Sequence, residues 1–323
     1  MTDTDILVMG SNTVDIYVET PADLIRIDRS DDDGDALLGY PVGDKLLADS
    51  VSFDVGGSGL NAATAFARTG LATSYVGRLG DDMFGARVLD HLDDENISFY
   101  GGLGDQTGIG IILESDAADR TILSYKGCNN DVTLDDVPDV TPDWFYSSTV
   151  MGDTRETMAS VITSFEDTTT AINISSYLAD QGIDELQPVL GATDYLFVNK
   201  DEAQRLTGED DLVDIFEALG SALRGTAIIT NGPNGVYYMT DETYYHVAPH
   251  PTDVVETTGA GDAFNAGFIA AKANGRPRHR AVKAGMIQAE HVLHHASTTD
   301  DLLSRDDLLD ELNNADYTTE VIQ

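Results

Sequence analysis

Five short apolar runs limit this chain to a narrow set of folds. They are Ile6-Leu7-Val8-Met9-Gly10, Trp144-Phe145-Tyr146-Ser147, Thr170-Ala171-Ile172-Asn173-Ile174, Tyr195-Leu196-Phe197-Val198 and Ala227-Ile228-Ile229-Thr230. A strand with no polar face is buried on both sides, which is the position of a parallel strand under two layers of helices. Segments of helical period follow the later runs, at residues 155–165, 183–190, 201–206 and 212–223, and two long helices are expected at 261–273 and 278–294. Strand–helix alternation of this kind predicts an α/β/α sandwich with a mainly parallel sheet. Residues 15–19, 51–55, 108–114 and 120–126 do not follow that pattern. Several of them alternate apolar and polar residues, so they predict a separate small sheet with one wet face. Residues 20–44 are polar and Asp-rich and read as a long exposed excursion.

The segment Thr257-Thr258-Gly259-Ala260-Gly261-Asp262-Ala263-Phe264 carries the chemistry. Small residues before an acid and an apolar run read as a loop opening a helix. Gly259 and Gly261 leave backbone N–H groups uncovered at the positive end of that helix, where an anion is stabilised. A carboxylate at Asp262 beside a bound phosphate can take the proton of an attacking hydroxyl. The same residues also read as a capped helix whose acid merely satisfies the dipole.

Four marks in order resemble the ribokinase (PfkB-type) carbohydrate kinases. They are Gly56-Gly57-Ser58-Gly59-Leu60-Asn61, Asn199-Lys200-Asp201-Glu202, Thr230-Asn231-Gly232-Pro233-Asn234-Gly235 and the Gly-Ala-Gly-Asp segment. The resemblance implies a ribokinase-like core over residues 1–10, 55–97 and 128–323, and a β lid over 11–54 and 98–127. It implies an ATP-dependent kinase acting on a sugar hydroxyl, with Asp262 as base and Gly259, Ala260 and Gly261 as the anion cup. Asp15, Gly56, Gly57, Asn61 and Lys126 would bind the substrate. Asn199, Thr230, Gly232, Gly235 and Thr258 would bind the nucleotide. Asn199 and Glu202 would hold Mg²⁺ through water, in keeping with that ion's retained hydration. Ser58 stands where several relatives have Lys, and Glu256 where the pattern usually has Asp, which bears on K⁺ activation. Pairing of two subunits through the lid is a further implication.

Each mark has a plainer reading. The Gly-Gly segment can be a flexible turn, Asn-x-x-Glu a helix cap, and Thr230–Gly235 an ordinary hairpin turn. Asp15 can be an ordinary strand acid. Gly57-x-Gly59-x-x-Ala62 with Asp81 loosely fits a dinucleotide loop, which leaves an NAD(P)-dependent oxidoreductase as an alternative. A nucleoside kinase on the same scaffold and a non-catalytic sugar sensor are the others. His291, His294 and His295 share a helix face without an evident partner ligand.

Composition narrows the setting. Asp and Glu number 57 against 18 Lys and Arg, a net charge of −39. Nucleic acid is a poor partner for such a surface. The acids are spread through a foldable sequence, which suits a salt-rich cytoplasm where self-repulsion is screened. No apolar run reaches membrane-spanning length, the start Met1–Asp5 lacks a basic leader, and the single Cys128 leaves no internal disulfide.

Overall fold

The computed structural model describes residues 4–20, 25–28, 36–39, 41–115, 118–148, 150–240, 243–251, 254, 259–294 and 302–322. Its centre is a ten-stranded sheet. From one edge the strands are Thr319–Ile322, Thr243–Val247, Val236–Thr240, Thr226–Thr230, Tyr195–Asn199, Thr169–Asn173, Trp144–Ser147, Ile6–Met9, Thr73–Val76 and Ser98–Tyr100. The run from Thr226–Thr230 to Ser98–Tyr100 is parallel, and the remaining three strands pair antiparallel at one edge.

Ile6–Met9 shows why the expected buried runs became central strands. Its four residues are wholly buried. Ile6 and Val8 belong to one apolar core, and Leu7 and Met9 to another on the opposite face. Side chains alternate across a strand, so a continuous apolar run feeds two cores at once. The helices Ser58–Arg68, Ala260–Ala273 and Arg278–Leu293 fill the first core, and Gly152–Ser164, Gly182–Leu190 and Leu212–Ala222 the second. Chain order reverses at Ile6–Met9, between Trp144–Ser147 and Thr73–Val76. In open α/β sheets, ligands collect at the carboxyl ends of the strands beside such a reversal.

A separate four-stranded sheet has the order Ala118–Tyr125, Ile109–Ser115, Thr13–Thr20, Ser50–Gly56. This is the expected lid. Ser98–Tyr100, expected within the lid, instead pairs in register with Thr73–Val76 of the main sheet. Within the 20–44 stretch, Ile25–Asp28 pairs antiparallel with Ala36–Gly39. Among the described residues no helix is long and apolar enough to cross a membrane.

Candidate active site

Helix Ala260–Ala273 starts at Gly259, whose φ of 81° is left-handed, and no side chain caps it. Glycine reaches that conformation without steric cost. The first bond of the helical ladder is Ala263 N–H to the Gly259 carbonyl, at 2.8 Å. The N–H groups of Ala260, Gly261 and Asp262 therefore lie ahead of the ladder, as the first amides of any α-helix do. A Cβ added to Gly261 would meet nothing within 4 Å, so the space beside this turn is open. That space is a cavity of about 320 Å³ shared with Asn199, Glu202, Thr230 and Asn265.

Asp262 lines the same cavity. Burial pushes its carboxyl up to about 7, against a hydrogen bond from the Asn61 side chain that favours the charged form. A carboxyl with that value near neutral pH can accept and return a proton. One turn on, Asn265 Nδ2 donates to the hydroxyl of buried Tyr146 at 3.0 Å. Burial, and then the nearby Asp262 charge, hold the Tyr146 phenol well above its ordinary range. Tyr146 thus stays neutral.

The expected cap at Asn199–Glu202 is present as a reciprocal pair. Asn199 Oδ1 accepts from Glu202 N–H at 2.8 Å, and Glu202 Oε2 accepts from Asn199 N–H at 2.9 Å. The plain capping role is real, yet both residues also line the cavity facing Asp262. Burial raises the Glu202 carboxyl, and a cation brought beside it would favour the charged form. Hard oxygen donors on one wall, with room for water, fit Mg²⁺. Among the described residues no group of three or more His, Cys, Asp or Glu could form a ready metal cage. His291 Nε2 instead meets the Glu311 carboxylate at 3.0 and 3.1 Å, and His295 lies outside the described residues.

Thr230, Gly232 and Gly235 line a second space of about 240 Å³. It shares Thr230 and Gly261 with the first cavity and is walled by Val236, Pro249, Phe264, Met286 and Leu293. A flat apolar group tethered to something in the amide cup would fit there. Thr258 and Glu256 lie outside the described residues.

The remaining expected residues gather at the junction of lid and core. Thr13 Oγ1 donates to Asp15 Oδ1 at 2.9 Å. Two glycines on neighbouring strands leave room for the Asp15 carboxyl. A Cβ on Gly56 would stand 2.1 Å from Oδ2, and one on Gly110 would stand 2.3 Å from Oδ1. Burial raises the Asp15 carboxyl, Thr13 opposes, Asp54 adds to the rise and Lys126 opposes. Burial lowers the Lys126 ammonium, against the pull of Asp15. Gly57, at φ 97°, starts the helix Ser58–Arg68, and that helix carries Asn61 to Asp262. The lid residues and the cup are thus joined through one short helix.

The dinucleotide alternative fails on topology. The strand before Gly57, Ser50–Gly56, pairs antiparallel with Thr13–Thr20 in the lid. A dinucleotide loop leaves a buried parallel strand of the main sheet. Asn265, Tyr146 and the apolar wall were not anticipated as site residues. Asn265 sits three residues after Asp262 on one helix face, a spacing that could have flagged it. Tyr146 comes from a distant strand and carries no local signal.

Comparison with known proteins bears on the family and the fold. The profile of the pfkB family carbohydrate kinases matches residues 17–305. The chain is 27% identical over 251 residues to the Arabidopsis thaliana protein named probable fructokinase-6, chloroplastic, covering 71% of this chain and 65% of that protein's own length. The Methanocaldococcus jannaschii nucleoside kinase, described as an archaeal member of the ribokinase family, superposes with a TM-score of 0.78 at 17% identity over 98% of this chain and 99% of that one. The Arabidopsis thaliana ribokinase solved with ribose and ATP gives a TM-score of 0.75 at 20% identity, covering 96% and 99%. At such identities the two structures speak for the fold alone. With the profile match across most of its length, the chain belongs to the pfkB family of carbohydrate kinases.

Proposed function

We propose that this enzyme transfers the γ-phosphoryl group of ATP to a hydroxyl of a sugar or sugar derivative. The observation that carries the reading is Asp262, raised to about 7 and held by Asn61 at the mouth of an uncapped helix. Asp262 takes the proton of the acceptor hydroxyl as its oxygen attacks phosphorus. The amides of Ala260, Gly261 and Asp262 meet the charge on the moving phosphoryl oxygens, and Gly259 supplies the turn that exposes them. Mg²⁺, when bound, neutralises phosphate charge, and Asn199 and Glu202 would hold it through water. Thr230, Gly232 and Gly235 border the nucleotide, whose base enters the apolar slot. Asp15 and Asn61 orient acceptor hydroxyls over the glycine floor of Gly56 and Gly57. Lys126 balances charge at that end, and the lid excludes water.

A coupled ADP-release screen tests this. The panel holds pentoses, hexoses, keto-deoxy sugar acids, ribose 1-phosphate and nucleosides, the last because a solved relative in fold is a nucleoside kinase. Acceptor-dependent ADP release on at least one member is expected. Mg·ATP binding with no acceptor turnover across the whole panel, even in molar KCl, overturns the assignment.

The excess of 57 acids over 18 basic residues supports work at high salt. Screening shortens to about 3 Å near 1 M salt, which relieves repulsion among surface carboxylates. Melting temperature and kcat/KM are therefore expected to rise together between about 0.1 and 2 M KCl. A fall in both over that range rejects the halophilic reading.

Lid pairing has its own support. Residues in register share a sheet face. Val51, Phe53, Leu123 and Tyr125 lie on one face through the pairs Val51↔Val18, Phe53↔Ile16, Ile16↔Ile111, Ile111↔Leu123, Val14↔Ile109 and Ile109↔Tyr125. All four are about half exposed. A second copy of the chain covers this face. Sedimentation is expected to give a dimer for the parent and a monomer for Phe53→Lys/Leu123→Lys, and a monomeric parent refutes the pairing.

A further inference from the structure

Positive charge is scarce in this chain, and where it concentrates is informative. Four of the 18 Lys and Arg residues, Arg276, Arg278, Arg280 and Lys283, fall within eight positions, with His279 among them. An even spread would place fewer than one there. Arg278, His279 and Lys283 line a cavity of about 340 Å³ together with Tyr238, Thr240 and Tyr245. That cavity shares no lining residue with the two spaces of the active site.

In a protein with 57 carboxylates these cations would be expected to form ion pairs, and among the described residues they form none. Arg278 donates to the Met239 carbonyl and to Thr240 Oγ1, the latter at 2.8 Å, while its Nε is buried without a partner. Lys283 Nζ donates to the Tyr317 carbonyl at 3.1 Å. Arg280 donates to the Leu312 carbonyl at 2.7 Å and to Asn313 Oδ1 at 3.3 Å. Neutral acceptors orient these groups, and no described carboxylate pairs with their charge. The imidazole of His279 registers the result. Partial burial, then Arg280 and Lys283, push it below its ordinary value. Clustered like charges cost free energy unless something neutralises them. Tethering of carbonyls accounts for each bond singly. It does not account for the absence of any ion pair among the described residues.

We propose that this cavity is a second anion site, taking a small organic phosphate. The Arg278 guanidinium, the Lys283 ammonium and His279 meet the phosphate, as planar and point donors commonly do. The cavity holds roughly ten waters' worth of space, by the ~30 Å³ each water occupies, more than one phosphate group needs. Tyr238 and Tyr245, stacked with ring centroids 5.1 Å apart, offer an aromatic wall to the organic part.

Calorimetric titration with phenyl phosphate tests this, with phenol as the uncharged control. It is run with and without saturating Mg²⁺ and a non-hydrolysable ATP analogue. Phenyl phosphate is expected to bind one to one in both conditions, and phenol in neither. His279→Gln, at an exposed side chain with no hydrogen bond among the described residues, is expected to weaken binding about threefold. His279→Gln/Lys283→Gln is expected to weaken it at least tenfold while ADP release stays within twofold of the parent. Absence of binding, its loss when the analogue is present, or the same affinity in both variants overturns the proposal. A kinase reading that failed the acceptor screen would leave this titration interpretable, because phenyl phosphate binding is read without turnover.

Discussion

Asp262→Asn is expected to lower kcat by about three powers of ten, within the range that removing a positioned general base produces. The amide cup is backbone and survives the change, so affinity for Mg·ATP should stay within about threefold. Asn keeps the shape of the side chain and its contact with Asn61, which isolates loss of the proton acceptor. In the parent, kcat/KM should rise through about pH 7 as the carboxyl ionises, and that limb should vanish from the residual activity of the variant. Stability moves the opposite way. The folded state holds the Asp262 proton up to about pH 7, whereas an ordinary carboxyl releases it near 3.8. The folded state therefore binds more protons between those values, and stability present below about pH 4 is lost as pH climbs through 7. Asn cannot ionise and escapes that loss, so the variant should melt higher than the parent at pH 8. A less active but more stable protein is what replacing a group kept for function should yield. Turnover within tenfold of the parent removes Asp262 from the role of base.

How much of this could be read beforehand depended on the distance over which each signal acts. Ile6–Met9 and the Leu196–Val198 stretch of Tyr195–Asn199 were legible because burial on both faces leaves no polar residue in the run. The lid strands were legible through their alternation. Thr319–Ile322 was not, since it is short and mostly exposed and owes its existence to pairing with Thr243–Val247. Ser98–Tyr100 was assigned to the lid for a similar reason: three half-buried residues do not reveal which sheet they join. The site divides in the same way. Gly259, Ala260, Gly261 and Asp262 are consecutive, so the cup is a local pattern. Phe264, Met286 and Leu293 read as helix core, and only the packing of two helices beside Val236 opens a slot between them. The bond between Asn265 and Tyr146 spans 119 positions and has no local trace.

Gly59→Ala should cost about 3 kcal/mol of folding stability, at the upper end of what overpacking a filled site usually costs. The chain leaving Ile6–Met9 crosses the start of helix Ser58–Arg68 backbone against backbone. A Cβ on Gly59 would stand 2.5 Å from the Gly10 carbonyl carbon, 2.6 Å from Gly10 Cα and 2.9 Å from Ser11 N. None of these is the end of a flexible side chain. Gly10 itself is boxed in, since a Cβ there would lie 2.3 Å from Ser148 Oγ and 2.7 Å from Gly59 Cα. Relief must come from moving the helix, because the strand is locked between two neighbours in the centre of the sheet. Moving the helix strains the bonds from Gly59 and Leu60 N–H to the Ser11 carbonyl, at 3.0 and 3.1 Å. It also displaces Asn61, and with it the hydrogen bond that Asp262 receives. Lost stability and lost turnover should therefore arrive together, the second persisting at temperatures where the variant is still folded. Gly220→Ala separates this from the general effect of adding a methyl group. Gly220 lies on an exposed turn of Leu212–Ala222, and the nearest atom to its added Cβ is Met239 Cε at 3.7 Å. That substitution should stabilise by up to about 1 kcal/mol through helix propensity. Urea unfolding of both variants decides the matter, and Gly59→Ala unfolding at the parental midpoint would mean that the crossing is looser than these distances require.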